Sequence, residues 1–167
     1  MKQWIEKYSI LLSLLLTLAV MVMIYLFSAQ TGKESGAMSG QITTWVLNML
    51  VPGFGDFSGE KQEAIRSAVG FAVRKLAHFS EYALLGFSLM LHIAQIQKKM
   101  TVRLPWLWAW GVGTLYAVSD EFHQGFVAGR GPSVRDVMID SAGVIAGTLL
   151  LLWILRRRLK KNTIKGR

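Results

Sequence analysis

The sequence predicts an all-α, polytopic membrane protein, with four transmembrane helices and one or two extracytoplasmic interfacial helices in a single domain over 1–167. Three observations carry this expectation. Hydrophobic residues make up 52% of the 167 positions and charged residues only 17%, an excess held in long apolar runs. Four such runs fall at about 8–27, 76–96, 104–122 and 134–155, each near the ~20 residues that cross ~30 Å of hydrocarbon. Basic residues gather in the loop 98–103 and in the tail 156–167, which makes both cytoplasmic if both termini lie inside. There is no cysteine, which excludes disulfide and thiolate chemistry.

Residues 1–7 are short and basic on balance, with Trp4 as an interface anchor. Tyr8 to Phe27 carries no charge over 20 residues. It is too long for the apolar region of a signal peptide and lacks a small-x-small cleavage site, so it predicts an uncleaved first span. Residues 28–75 form the outer segment. Its opening, SAQTGKESGAMSG, is Ser/Gly-rich and reads as a loop. Ile42 to Val51 is apolar but too short to span; with Trp45 and the closing Pro52–Gly53 it reads as an interfacial or re-entrant helix, or as a loop with one hydrophobic turn. Ser58 to Arg74 has acids in its first turn and bases in its last. Its Ala64, Ile65, Ala68, Val69 and Ala72 recur at helical spacing, which predicts a surface helix.

The second span, Leu76 to Ile96, is less pure. His78, Glu81, Leu85, Ser88 and His92 fall on one face, and such a stripe should meet protein rather than lipid. His92, toward the inner end, reads as a hydrogen-bonded packing residue. The third span begins with Trp106, Trp108 and Trp110 as an aromatic belt and ends in Asp120, Glu121, His123 and Gln124. Gly125 to Pro132 is a tight turn. The fourth span opens with Asp136 and closes at Arg156–Arg158. The tail from Arg156 holds seven Lys or Arg and no acid. Directly after an apolar helix it reads as an anchor against anionic lipid. No basic-aromatic module accompanies it, so nucleic acid is not an expected partner.

With both ends inside, the start of span two, the end of span three and the start of span four share one extracytoplasmic membrane level. Carboxylates there are costly and should face a bundle interior or a wet cavity. On span four, Asp136, Asp140, Gly143 and Gly147 lie at i, i+4, i+7 and i+11, so the acids share a face with glycines that permit close helix approach. Asp136 is also placed to complement a helix N-terminus. Asp140, one turn deeper, is not.

Three chemistries fit. His78, Glu81, Asp120, Glu121, His123 and Asp140 are serviceable ligands for a divalent metal, although no established ligand motif is present. Arg74, Lys75, Arg130 and Arg135, with the Gly129–Gly131 turn, suit a phosphate or carboxylate, such as a lipid-linked pyrophosphate at the outer leaflet. Alternatively, Arg130 and Arg135 neutralise Asp120, Asp136 and Asp140 in a buried ion-pair network. Glu121 and His123, with Asp120 beside them, are the candidate acid–base pair; no nucleophile accompanies them beyond Ser119 and Ser133.

The segments FSAQTGKES, RKLAHFSEYALLG and DEFHQGFVAGRGPSVRDVMIDSAGVIAG together resemble the VanZ-like family of small bacterial membrane proteins. The motif positions are Lys75, His78, Glu81, Tyr82, Asp120, Glu121, Gln124, Arg130, Asp136, Asp140 and Gly143. The turn departs from the family pattern at Ala128, where a proline is expected, which leaves it less rigid. The resemblance implies a membrane-helix bundle in the bacterial cell membrane and an association with lowered teicoplanin susceptibility. The expected function is an extracytoplasmic polar site that binds a lipid-linked wall precursor or a lipoglycopeptide, with membrane lipid as its surroundings. The alternatives are a metal-assisted or acid–base enzyme acting on an envelope lipid, and a structural partner of another membrane protein. A transporter is disfavoured by the few helices and the lack of an inverted repeat, unless the chain forms a homodimer.

Overall fold

A computed structural model describes the backbone of residues 2–97 and 100–165. The side chains of Trp4 and of most of the tail, and all of Lys98 and Lys99, lie outside the described residues. The described residues form five α-helices: α1 (Lys2–Ser28), α2 (Gly32–Leu50), α3 (Gly59–Ile96), α4 (Pro105–Gln124) and α5 (Val134–Lys165). A 3₁₀ turn at Phe54–Asp56 links α2 to α3. The described residues contain no strand.

Among the described residues, three helices are long and apolar enough to cross a membrane, over Tyr8–Ser28, Gly59–Ile96 and Val134–Arg158. The expected third crossing, α4, has the length, at 20 residues. It is not one of these three.

The outer segment differs most from the sequence expectation. The Ser/Gly-rich stretch read as a loop is the first half of the 19-residue α2. Thr31 starts it with a capping box. The Glu34 amide donates to Thr31 Oγ1 at 3.3 Å, and the Thr31 amide donates to Glu34 Oε2 at 2.9 Å. These bonds satisfy two amides that a helix start leaves free. The Thr31 hydroxyl and amide hold the Glu34 carboxyl below its ordinary range. A carboxyl depressed in the folded state stabilises above its unfolded pKa, and that contribution is lost as pH falls through the folded value. Protection of the amides over 32–36, taken relative to their intrinsic exchange rates, should therefore fall as pH drops below 4.5, and should not do so in Glu34→Gln. Equal exchange in both proteins would refute the cap's contribution.

The surface helix and second span expected from the sequence are one continuous α3 of 38 residues. No proline or glycine interrupts Val73–His78, so nothing breaks the helix where hydropathy changes. At 1.5 Å per residue it is about 57 Å long, nearly twice the hydrocarbon thickness. Its first half pairs with α2 as a hairpin. Ser39, Thr43 and Leu47 of α2 are buried, Thr43 lies against Gly70, and Arg66 donates to Thr44 at 3.0 Å. The opposite stripe of α2, Met38, Ile42, Trp45 and Met49, is exposed.

The second half of α3 is the axis of the bundle. The pairs Lys75–Asp136, His78–Asp140 and Gly86–Thr148 advance together along both chains, so α3 and α5 run in the same direction. On α4, Trp110 meets Ser141 and Glu121 meets Ser133, so α4 runs the other way. Glycine lets α3 and α5 touch backbone to backbone. Gly143 lies on Phe79, Gly147 on Ala83, and Gly86 on Val144. Around this seam Ile24, Tyr82, Leu85, Met90, Ala109, Ala117 and Val144 are buried. At the far end, His92 Nδ1 is 3.0 Å from Ser13 Oγ of α1, which makes it the packing residue expected. Of the three tryptophans, Trp110 turns inward and donates to Ser141 at 2.9 Å, while Trp106 and Trp108 stay exposed.

Candidate functional site

Four elements bring polar residues to one end of the bundle. Lys75, His78 and Glu81 recur on one face of α3, with Arg74 beside them. The end of α4 supplies Asp120, Glu121 and Gln124. The start of α5 supplies Asp136 and Asp140. The turn between them supplies Arg130, and the α1–α2 junction closes the site from the side.

That junction and the turn are tied backbone to backbone. The Gly32 amide donates to the Ala128 carbonyl at 3.0 Å. A Cβ on Gly32 would collide with the Gly129 carbonyl. Gly129 has φ +75°, a left-handed conformation that glycine adopts without steric penalty. Arg130 Nη1 donates to the Ser28 carbonyl at the end of α1, at 3.2 Å. Glu121 fixes the other side of the turn: its Oε2 accepts from the Ser133 amide at 2.7 Å, just before α5 begins. The carboxylate thus satisfies an amide that the helix start leaves free and complements the helix dipole.

Asp136 pairs directly with Lys75, and Gln124 Nε2 donates to Asp120 Oδ2 at 3.1 Å. Asp140 is fully buried, with its Oδ1 3.7 Å from His78 Nδ1, beyond hydrogen-bonding distance. Both Asp140 oxygens and His78 Nδ1 lack a hydrogen-bond partner, as do the buried Tyr82 hydroxyl and Glu121 Oε1. The acids and arginines do not neutralise one another. Among the described residues the Lys75–Asp136 and His78–Asp140 contacts are the only ion-pair contacts, and Arg74, Arg130 and Arg135 form none.

Two adjoining spaces result. A cleft of about 300 Å³ is bordered by Arg74, Lys75, His78, Gln124, Arg130 and Asp136, with the Gly129 and Gly131 backbone on one rim. A smaller cavity of about 70 Å³ lies deeper between α1, α2 and α3, and Arg74, His78 and Arg130 border it too. Glu81 and Asp120 line only the smaller cavity.

Other residues expected at the site have different surroundings. Tyr82 is a core residue, 6.4 Å ring to ring from Tyr116. His123 rests on Tyr25 of α1 at 4.9 Å between ring centroids. Glu121 and His123 therefore do not face a common cleft. Arg135 lies over the exposed Phe71 ring at 5.2 Å, and Lys75 lies over the same ring at the same distance. Among the described residues, no group of three or more His, Asp or Glu side chains is placed to hold a metal ion.

Sequence reasoning did not identify Ser28, Gly32, Met38 or Ile42 as neighbours of the site. The Thr31–Glu34 capping box was the available signal, since it starts a helix directly after the first span. What the arrangement does chemically is present unpaired cations and backbone at an open cleft, which suits an anion.

The family model described as VanZ/LLP1 matches residues 13–156. No curated protein and no solved structure matches the chain.

Proposed function

The chain belongs to the VanZ/LLP1 family, and on that premise we propose that its cleft faces the cell exterior and binds the anionic part of a lipid-linked wall precursor or lipoglycopeptide. The observation that carries this reading is the charge arrangement of the 300 Å³ cleft. Three cations converge there, and two of them, Arg74 and Arg130, have no carboxylate partner among the described residues. Arg74 is exposed, whereas Arg130 is half-buried with only the Ser28 carbonyl as partner; a half-buried cation without a counter-charge is costly, and an anionic ligand relieves that cost. The volume corresponds to roughly ten waters, enough for a phosphate or pyrophosphate group.

The topology that puts the cleft outside has four crossings, with α4 as the third, and both termini in the cytoplasm. Arg103 and the basic tail then lie inside. The α2–α3 hairpin lies outside, with the Met38–Ile42–Trp45–Met49 stripe toward the outer leaflet. The α4 crossing tolerates its acids because Asp120 and Glu121 are buried against protein, not exposed to lipid. The chain has no cysteine, so single cysteines test the topology cleanly. Ser58→Cys in intact cells should react with a membrane-impermeant maleimide, and Thr163→Cys only after permeabilisation. The reverse pattern, or labelling at both positions, would overturn this orientation.

Function is tested by teicoplanin and vancomycin susceptibility of a Gram-positive host expressing wild type, Arg130→Gln or Lys75→Gln at matched membrane levels. Wild type should lower teicoplanin susceptibility, and both variants should lose that effect. Variants that protect as well as wild type would show that these cations bind no functional ligand.

A further inference from the structure

The smaller cavity has a composition that the cleft does not. Ser35, Arg74, His78 and Arg130 are common to both spaces, but beside the polar Ser28, Gln30, Ser39, Glu81 and Asp120 the cavity has an apolar side: Ile24 and Phe27 from α1, Met38 and Ile42 from α2, Val73 and Ala77 from α3. Ile24 is buried, whereas Met38 and Ile42 are 42% and 48% exposed. The apolar wall therefore begins beside the cations and reaches the surface along α2. There it continues into the exposed stripe through Trp45 and Met49. A free phosphate or a sugar has no use for such a wall.

We infer that the two spaces form one site for a phosphate ester carrying a hydrocarbon chain. The phosphate sits on Arg74, Lys75 and Arg130, the first carbons occupy the cavity under Met38 and Ile42, and the rest of the chain leaves along α2. This rests on the anion-binding reading of the cleft and adds the substrate class. An engineered cavity of 150 Å³ accepts benzene, so about 70 Å³ accommodates roughly three carbons by that measure. Burying that many is worth more than a factor of ten in affinity. Two sources share this chemistry, a polyprenyl phosphate and an acyl lipid phosphate, and the chain stiffness next to the phosphate distinguishes them.

The test is calorimetric titration of the purified full-length protein in a neutral maltoside detergent. The probes are farnesyl phosphate, lysophosphatidate, farnesol and inorganic phosphate. Farnesyl phosphate is expected to bind at least tenfold tighter than inorganic phosphate or farnesol. Ile42→Ser, on the half-exposed rim and so tolerated by the fold, should remove most of that advantage without changing inorganic phosphate binding. Val73→Phe, which fills the cavity, should do the same. Arg130→Gln should weaken both phosphate-bearing amphiphiles. Lysophosphatidate binding as well as farnesyl phosphate supports the class and extends it to acyl lipids. If inorganic phosphate binds as tightly as farnesyl phosphate, or Ile42→Ser and Val73→Phe change nothing, the chain site is overturned while the anion cleft stands. If no phosphate-bearing probe binds, both readings fall. If farnesol matches farnesyl phosphate, the cavity is a lipid contact and this inference is wrong.

Discussion

Gly147→Leu is expected to leave no monodisperse protein in the membrane. A Cβ at this position would lie within bonding range of the Ala83 carbonyl, and against the Phe87 amide as well. These are backbone atoms in the middle of α3, so no rotamer change relieves the clash. Gly143 makes the same approach one turn earlier, on Phe79, and Gly86 answers from the other helix against Val144. Overpacking among side chains costs typically 1–3 kcal/mol. Here the helices themselves must separate, which loses the Gly86–Thr148 hydrogen bond and moves His78 from Asp140. Gly111→Leu is the matched control, because nothing lies within 4 Å of a Cβ there. A fluorescent fusion on detergent size-exclusion chromatography reads the result. Gly111→Leu should elute as wild type, and Gly147→Leu should aggregate or disappear. A monodisperse Gly147→Leu would refute the backbone contact.

Both this seam and the acids beside it were legible in the sequence, for one reason. Asp136, Asp140, Gly143 and Gly147 repeat at helical spacing, and a helix in a bundle must turn its small residues toward a neighbour. The partner face on α3 was legible as a polar stripe, and His78 does meet Asp140. Less legible were features set by chain geometry instead of periodicity. The α2 helix was hidden by glycine and serine content, which lowers helix propensity; a capping box and tertiary contact with α3 override it. The split of α3 into a surface helix and a span followed a change in hydropathy, but hydropathy does not end a helix. Glu121 reads as an acid–base candidate from its neighbours. Its engagement with the Ser133 amide depends on how the Gly125–Pro132 turn folds back, which residue spacing does not specify. Likewise, nothing in the sequence says that His123 faces Tyr25, or that Arg135 covers Phe71 rather than an aspartate.

Asp140→Asn is expected to raise the unfolding temperature of the purified protein by several degrees while abolishing the teicoplanin protection proposed above. Asp140 is fully buried, yet neither carboxylate oxygen accepts a hydrogen bond. The nearest cation-forming group, His78 Nδ1, is 3.7 Å away, and Glu121, Asp120 and Asp136 add like charge around it. An unsatisfied buried polar group costs about 1–3 kcal/mol, and a charged one more. Asparagine keeps the volume and cannot ionise, so the cavity term that accompanies truncation to alanine does not arise. A residue retained at such a cost inside a bilayer is better explained by function than by packing. The site explains it: a carboxylate behind His78 biases the imidazole that borders both the cleft and the deeper cavity. The competing account is that Asp140 and His78 form a stabilising pair. The two accounts separate in a double-mutant cycle with His78→Gln. Destabilisation by Asp140→Asn, with a coupling above about 1 kcal/mol, would make the pair structural. A stabilised Asp140→Asn with little coupling, and with teicoplanin protection lost, places the acid in the ligand's service, because only a group kept for something other than folding can be removed to the benefit of the fold.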